Sequence, residues 1–234
     1  MNQIKRVIIK LSGEALGPDG GVDAVATETI CRELLTLVDA GVSVGIVVGA
    51  GNLVRGRQLT GAHHIEPQTA DYMGMAATQI NALALRDTLT SLGAPAIVMS
   101  AFAVPLLCET YFRPDAIAAL DAGKVVIFSG GTSHPGVTTD MCAAIRANDI
   151  NADVVLKATK VDGVYDKDPH QHDDAVKYDT LTLADAIAQR LGVMDIPAMA
   201  FCMEQSIPVV VFNMNTPGNC LQAAQGQPVG TTVS

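Results

Sequence analysis

The sequence predicts an α/β fold, with helices on both faces of a mainly parallel sheet. Three observations carry this. Short apolar, β-branched runs alternate with longer stretches of helical periodicity. Glycine closes several of the helical stretches, at Gly41, Gly93 and Gly123. Strand-like runs end in small-residue turns, Ser12-Gly13, Gly49-Ala50-Gly51 and Gly130-Gly131-Thr132. Such alternation builds parallel sheets covered on both faces. In open parallel sheets, ligands gather beyond the carboxyl ends of the strands. Three small-residue turns at one sheet edge therefore mark the functional edge.

The elements follow in order. Arg6 to Ser12 reads as the first strand, and Ala24 to Ala40 as a helix stopped by Gly41. Val42 to Val48 is the second strand. Ala70 to Leu92, rich in Ala, Met and Leu, is a long helix closed by Gly93. Pro95 to Ser100 is a strand, Asp115 to Ala122 a helix, and Lys124 to Ser129 a strand. Thr138 to Asn148 is helical, with Thr138 or Thr139 near its start. Asp153 to Lys157 is a strand, and 160–165 a turn with a short strand. Residues 166–179 are polar and read as an exposed loop. A short helix spans Ala184 to Arg190. Asp195 can cap a helix running to about Gln205, with Pro197 in its first turn. Pro208 to Phe212 is a strand, and Gly230 to Val233 an edge strand.

The 234 residues, 49% hydrophobic and 17% charged, suffice for one globular domain or two closely packed lobes. With no Trp and 4% aromatics, the core must be aliphatic and Met-rich. A formal net charge of -9 disfavours general nucleic-acid binding, which needs a basic surface. It still permits a local basic pocket, for which Lys10, Arg55, Lys157 and Lys160 are candidates. The five cysteines, with no CxxC pair, read as reduced thiols of a cytoplasmic protein, and a zinc site is disfavoured. No apolar stretch has the length and character of a membrane-spanning helix, so no membrane partner is expected.

The most informative motif is Gly49-Ala50-Gly51-Asn52, followed by Arg55. Small residues let the backbone approach a ligand, and Asn52 can cap a following helix. A helix N-terminus favours an anion, and Arg55 on its first turn would add a bidentate donor. A phosphate site is one reading; a tight turn without a ligand is the other. Two standard phosphate motifs nearly match and both fail. Gly51 to Gly56 has P-loop spacing, but Arg57-Gln58 stands where Lys-Ser/Thr belongs. Gly49 and Gly51 begin a dinucleotide fingerprint, but Val54 occupies its third glycine position. Met73 and Met75 read as core or interface, and His63, His64, His170 and His172 as loop residues.

Taken together, the motifs resemble the amino-acid kinase superfamily, and within it the bacterial uridylate (UMP) kinases. The matching residues are Lys10-Leu11-Ser12-Gly13-Glu14, Gly-x-Gly-Asn…Arg-Gly at 49–56, Asp71-Tyr72-Met73-Gly74-Met75, and Gly-Gly-Thr…Pro…Thr-Thr-Asp at 130–140. The run 152–165, Val193-Met194-Asp195 and 211–215 extend the likeness, which covers Ile4 to Val233. The resemblance implies a three-layer α/β/α sandwich, with an acceptor lobe over about 1–150 and an ATP lobe over about 151–234. It implies transfer of the ATP γ-phosphoryl to UMP, with Mg²⁺, in a cytoplasmic homohexamer regulated by GTP and UTP.

It also implies roles. Lys10, Asp140 and Asp195 would be catalytic. Lys10, Leu11, Ser12, Gly13, Gly51, Arg55, Thr159, Tyr165 and Asp168 would hold ATP. Ala50, Asp71, Thr132, Ser133, His134, Pro135, Gly136, Val137, Thr138 and Thr139 would hold UMP. Mg²⁺ would be carried mainly by the ATP phosphates rather than by a protein cage. The bland reading of Asp71 is a helix N-cap. The chain departs from the family pattern at Ala50, where the middle Gly of Gly-Gly-Gly-Asn is usual. It departs again at 133–137, where Gly-Asn-Pro-Phe-Phe is usual. Pro197 and a short 17–21 loop are further departures. Two other readings remain: a related kinase with an amino-acid or carbamate acceptor, and a non-catalytic nucleotide or oxyanion storage protein.

Overall fold

The computed structural model describes residues 4–17, 20–55, 64–169 and 171–234. Pro18, Asp19, Gly56, Arg57, Gln58, His63 and His170 of the motifs above lie outside the described residues. In chain order the strands are β1 (Arg6–Leu11), β2 (Ser43–Val48), β3 (Ala96–Ser100), β4 (Glu109–Thr110), β5 (Val125–Ser129), β6 (Val154–Thr159), β7 (Thr180–Leu181), β8 (Val209–Asn213) and β9 (Thr231–Val233). The helices are α1 (Ala24–Asp39), α2 (Pro67–Ser91), α3 (Arg113–Asp121), α4 (Thr139–Asp149), α5 (Leu183–Ala188), α6 (Ile196–Glu204) and α7 (Asn219–Ala224).

The strands form one sheet in the order β4-β3-β5-β2-β1-β6-β8-β9-β7. Every neighbouring pair is parallel except β8–β9. The chain works outward from β1 through β2 on one side, and returns to β6 on the other. The β1/β6 junction is therefore a topological switch point, where open sheets of this kind leave a crevice at the strand carboxyl ends.

Side-chain alternation along β1 explains the three layers. Val7, Ile9 and Leu11 join the core beneath α1, α2 and α7, with Leu34, Leu85 and Ala223. Ile8 points the other way, into the core under α3, α4, α5 and α6, with Leu120, Ala144, Ala186 and Ala198. A period of two then sends Lys10 to the Ile8 face, toward α4. Lys157 lies opposite Lys10 in the parallel register and shares that face.

Several elements differ from the sequence reading. The two-residue strands β4 and β7 are too short for a periodic signal, and α7 is equally inconspicuous. Residues 160–165 form no strand; Tyr165 makes a single antiparallel bridge to Lys177. Residues 231–233 are not an edge, because β7 pairs outside them. The expected helix start at Asn52 is instead a tight turn, in which the Leu53 and Val54 N–H groups both donate to the Ala50 carbonyl. Arg55 follows in irregular chain rather than on a helical turn. Pro197 does sit in the first turn of α6, and Asp195 caps that helix by accepting from Ala198 N at 2.9 Å.

Candidate active site

The carboxyl ends of β1, β2, β5 and β6 bring the predicted residues to one sheet edge. At its centre, Lys10 and Lys157 both face Asp140 on the first turn of α4. Lys10 Nζ lies 3.0 Å from Oδ1, and Lys157 Nζ lies 3.0 Å from Oδ2. All three side chains are about 85% buried, at 15%, 14% and 14% exposure. The two contacts are not equivalent. Lys157 donates a hydrogen bond to Oδ2, whereas Oδ1 has no aligned donor despite the nearby Lys10. Lys10 pairs with Oδ1 at the same distance as Lys157 with Oδ2, but off the hydrogen-bond direction.

Electrostatics follow from this crowding. Burial pushes the Asp140 carboxyl up, but the two lysines outweigh it and hold the group below the ordinary carboxylate range. Burial, opposed by Asp140 and reinforced by Lys10, holds Lys157 below the ordinary lysine range, and Asp195 partly restores it. Two cations face Asp140, and Asp195 lies close enough to act on Lys157, so the charges of the cluster balance.

Asp195 closes the cluster. Its Oδ1 caps α6, and its Oδ2 accepts from the Thr138 hydroxyl, which itself caps α4 through Met141 N at 3.1 Å. Two helix N-termini are thereby tied together beside the lysines, and each contributes a positive dipole end.

A pocket of about 290 Å³ opens on the β2–β5 side, lined by Ala50, Asp71, His134, Val137, Thr138 and Thr139 among others. Asp71 lies inside α2, not at its start, so the N-cap reading is overturned. Its Oδ2 instead accepts from Gly136 N at 2.7 Å and ties α2 to the 130–138 segment. That segment turns sharply, with positive φ at Gly130, Gly131, Ser133 and Gly136. Ser133 carries a Cβ at φ 60, a conformation that costs a non-glycine residue about 1–2 kcal/mol and recurs at ligand clamps. Ala50 is buried at negative φ, so a methyl group is accommodated where relatives of this motif carry glycine. Thr132, Ser133, Pro135 and Gly136 shape the segment without lining the pocket itself. His134 and Val137 are exposed at its rim, and among the described residues no Phe, Tyr or Trp lines it.

A second pocket, about 320 Å³, lies across β1 and is lined by Ser12, Glu14, Ala15, Thr159, Lys160 and Asn215 among others. Arg55 ion-pairs with Glu14 at 3.0 Å and lines an adjoining cleft with Lys160. Tyr165 and Asp168 sit in the 160–179 connection and do not line this pocket. Lys10, Asp140 and Lys157 line neither pocket, but residues one or two positions along the chain do: Ser12, Ala158 and Thr159 line this one, and Thr138 and Thr139 the first. A larger hollow of about 730 Å³ opens at the opposite sheet edge, around Lys5, Ser43 and Asp153, and none of the candidate site residues lines it.

Gly13 explains how closely the first two turns pack. A Cβ there would strike Asn52 Oδ1 and stand 2.6 Å from Gly51 N. Only glycine lets these two backbones meet.

Sequence reasoning missed the polar inner face of α2. Thr78, Gln79 and Asn81 are buried within an otherwise apolar face. Thr78 accepts from Gly130 N at 2.7 Å. Gln79 links Ser100 and Ser129, at 2.8 and 2.7 Å. Asn81 donates to Gly49 O at 2.8 Å. The available signal was three polar residues at core-facing positions between Ala77 and Ala82.

The Amino acid kinase family pattern matches residues 5–213. The chain belongs to this family. Among solved structures, it is 37% identical to a UMP kinase from Bacillus anthracis, with 100% of this chain and 97% of that one covered and a TM-score of 0.96. A UMP kinase from Ureaplasma parvum is 34% identical, covering 99% of each chain, with a TM-score of 0.92. A uridylate kinase from Archaeoglobus fulgidus is 29% identical, covering 97% and 99%, with a TM-score of 0.73. Membership and architecture together make this chain a nucleotide-binding kinase, a transferase of phosphoryl groups. Among the described residues no helix is long and apolar enough to cross a membrane.

Proposed function

We propose that this kinase transfers the γ-phosphoryl group of Mg-ATP to UMP, giving UDP and ADP. The observation that carries the proposal is the pair of lysines held by one aspartate, at the sheet's switch point, with their chain neighbours Ser12, Thr139 and Thr159 lining two pockets. The full-length likeness to UMP kinases supplies the acceptor.

UMP would occupy the pocket lined by Ala50, Asp71, His134, Val137, Thr138 and Thr139, with Thr132, Ser133, Pro135 and Gly136 shaping the segment beside it, in the acceptor part of the chain, about 1–150. The second Asp71 oxygen is placed to accept from a ribose hydroxyl, since Oδ2 already holds Gly136 N. ATP would lie across β1 and β6, toward the 151–234 part. Its phosphates would meet Lys10, the Leu11-Ser12-Gly13 backbone, Gly51 and Arg55. Its base and ribose would approach Thr159, Tyr165 and Asp168.

The UMP phosphate oxygen is already an anionic nucleophile, so no general base is required. Catalysis then rests on alignment and charge neutralisation. Lys10 leaves Oδ1 of Asp140 for the equatorial oxygens of the moving phosphoryl group, and Lys157 stays to neutralise the donor side. Asp140 keeps both ammoniums pointed at the same locus before and after transfer. Both Asp140 oxygens face lysines, and both Asp195 oxygens face Thr138 and the α6 amide, so neither carboxylate is left for a metal cage. The donor set fits Mg²⁺ arriving on the ATP phosphates, where it neutralises phosphate charge. Homohexameric assembly and control by GTP and UTP are part of the same proposal. The exposed Tyr72, Met73 and Ile80 of α2 offer apolar surface for assembly.

Phosphorus NMR of the protein with Mg-ATP and UMP tests the reading. The paired resonances of UDP should grow as those of UMP decline. ATP turnover yielding only inorganic phosphate would overturn it.

A further inference from the structure

We infer that Asn81, one helical turn from the acceptor pocket and in contact with neither pocket, is a positioning residue that sets the two glycine turns for phosphoryl transfer. The inference rests on the reading of 10–13 and 49–51 as the phosphate site.

Asn81 is fully buried on α2. Its amide nitrogen donates to Gly49 O at 2.8 Å and to Asn52 Oδ1 at 2.8 Å. Its oxygen accepts from Asn52 Nδ2 at 3.1 Å. The same Asn52 nitrogen donates to Gly21 O at 2.7 Å. Asn52 Oδ1, fixed by this exchange, occupies the space that a side chain on Gly13 would need. One buried amide therefore registers three segments: the turn after β2, the turn after β1, and the chain leading into α1. Its base, α2, is anchored to the 130–138 segment by Asp71 and Thr78. The acceptor segment and the phosphate turns are thus indexed to one rigid helix.

The chemistry at position 81 is specific. The site demands two donations and one acceptance from a planar group. An amide supplies them. A carboxylate of the same shape supplies the acceptance but sets a negative oxygen against the Gly49 carbonyl. A hydroxyl reaches only one partner. Misplacing the turns by about 1 Å is enough to cost about 100-fold in rate.

The test compares Asn81→Ala, Asn81→Asp and the milder Asn81→Ser with Leu85→Ala. Leu85 is equally buried on the next turn of α2 but belongs to the apolar core. For each, Tm, kcat with UMP, and the Kd of Mg-ADP are measured at a temperature well below Tm. The expected result is a kcat loss of about 100-fold and a Kd rise of about tenfold in Asn81→Ala, with no rescue by Asn81→Asp. Leu85→Ala should lose Tm yet keep both values within threefold. Asn81→Ser should fall between. If the Asn81 variants lose Tm but keep kcat and Kd as Leu85→Ala does, the positioning role is overturned. If Asn81→Asp restores activity, the residue only fills space and the inference fails. If the parent protein turns over no UMP, the proposed acceptor fails, while the Mg-ADP comparison still decides the role of Asn81.

Discussion

Replacing Asp140 with asparagine removes the anion that both buried cations touch and leaves Asp195, which acts on Lys157, as the remaining carboxylate of the cluster. Lys10 and Lys157 stand opposite each other on neighbouring strands, each 3.0 Å from a different Asp140 oxygen. Their ammoniums therefore lie within about 8 Å, where like charges repel by about 2 kcal/mol at an effective dielectric near 20. The charge-assisted bond from Lys157 is lost as well, worth about 1.5–3 kcal/mol, and the neutral amide returns part of it. Breaking a buried ion pair from one side costs about 3–5 kcal/mol, in the same range. We take about 3 kcal/mol, which for a chain of this size lowers Tm by about 6–12 °C.

Two features separate this from ordinary destabilisation. The orphaned lysines form an anion site, so inorganic phosphate should restore more Tm to Asp140→Asn than to the parent. The gap should also depend on pH in a fixed direction. The folded Asp140 carboxyl lies below its usual 3.8, so its stabilisation is complete above about pH 5 and is lost as pH falls through the folded value. Differential scanning calorimetry from pH 8 to pH 3, with and without phosphate, reads both effects. A variant with unchanged Tm at neutral pH, or one that phosphate helps no more than the parent, would refute the shared-anion account.

Other expectations follow from the same geometry. Lys157 is held below the ordinary lysine range, so activity that needs its positive charge should fall at alkaline pH before 10.5; Lys157→Arg should move that limb higher, and a pH–rate profile decides. Gly13→Ala places a methyl 2.6 Å from Gly51 N and against Asn52, so it should cost about 1–3 kcal/mol in denaturant melts and most of the ATP affinity measured by calorimetry. Asp71→Ala removes the tie to Gly136 N and the free carboxylate oxygen, so KM for the acceptor should rise about tenfold while KM for ATP holds, as steady-state kinetics would show. Arg55→Ala breaks a half-exposed pair with Glu14, so Tm should change little, while KM for ATP rises.

The sequence made the strands and turns legible because their signals are local. Apolar runs ending in glycine reveal β1, β2 and β5 without knowledge of what they pair with. Thr138 and Asp195 declare themselves as caps for the same reason. The Lys10–Lys157 partnership is not local. It depends on β1 pairing with β6 across the intervening residues 12–153, and no spacing along the sequence shows it. Asn52 misled for a related reason: a cap residue by type, it is drawn inward by Asn81, a partner from a distant helix. Ala50, which departs from the family pattern, is at negative φ, so its methyl group strains no backbone there. The Tyr165 and Asp168 assignments rest on resemblance, because neither residue lines the pocket around Ser12, Thr159 and Asn215.

The central claim is that the acceptor is UMP. The most direct measurement is ADP release from Mg-ATP against UMP, dUMP, CMP, aspartate and N-acetylglutamate in parallel. The account predicts rapid release with UMP and a kcat/KM at least tenfold lower with every other acceptor. Preference for a carboxylate acceptor, or ATP binding without transfer to any of them, would contradict it.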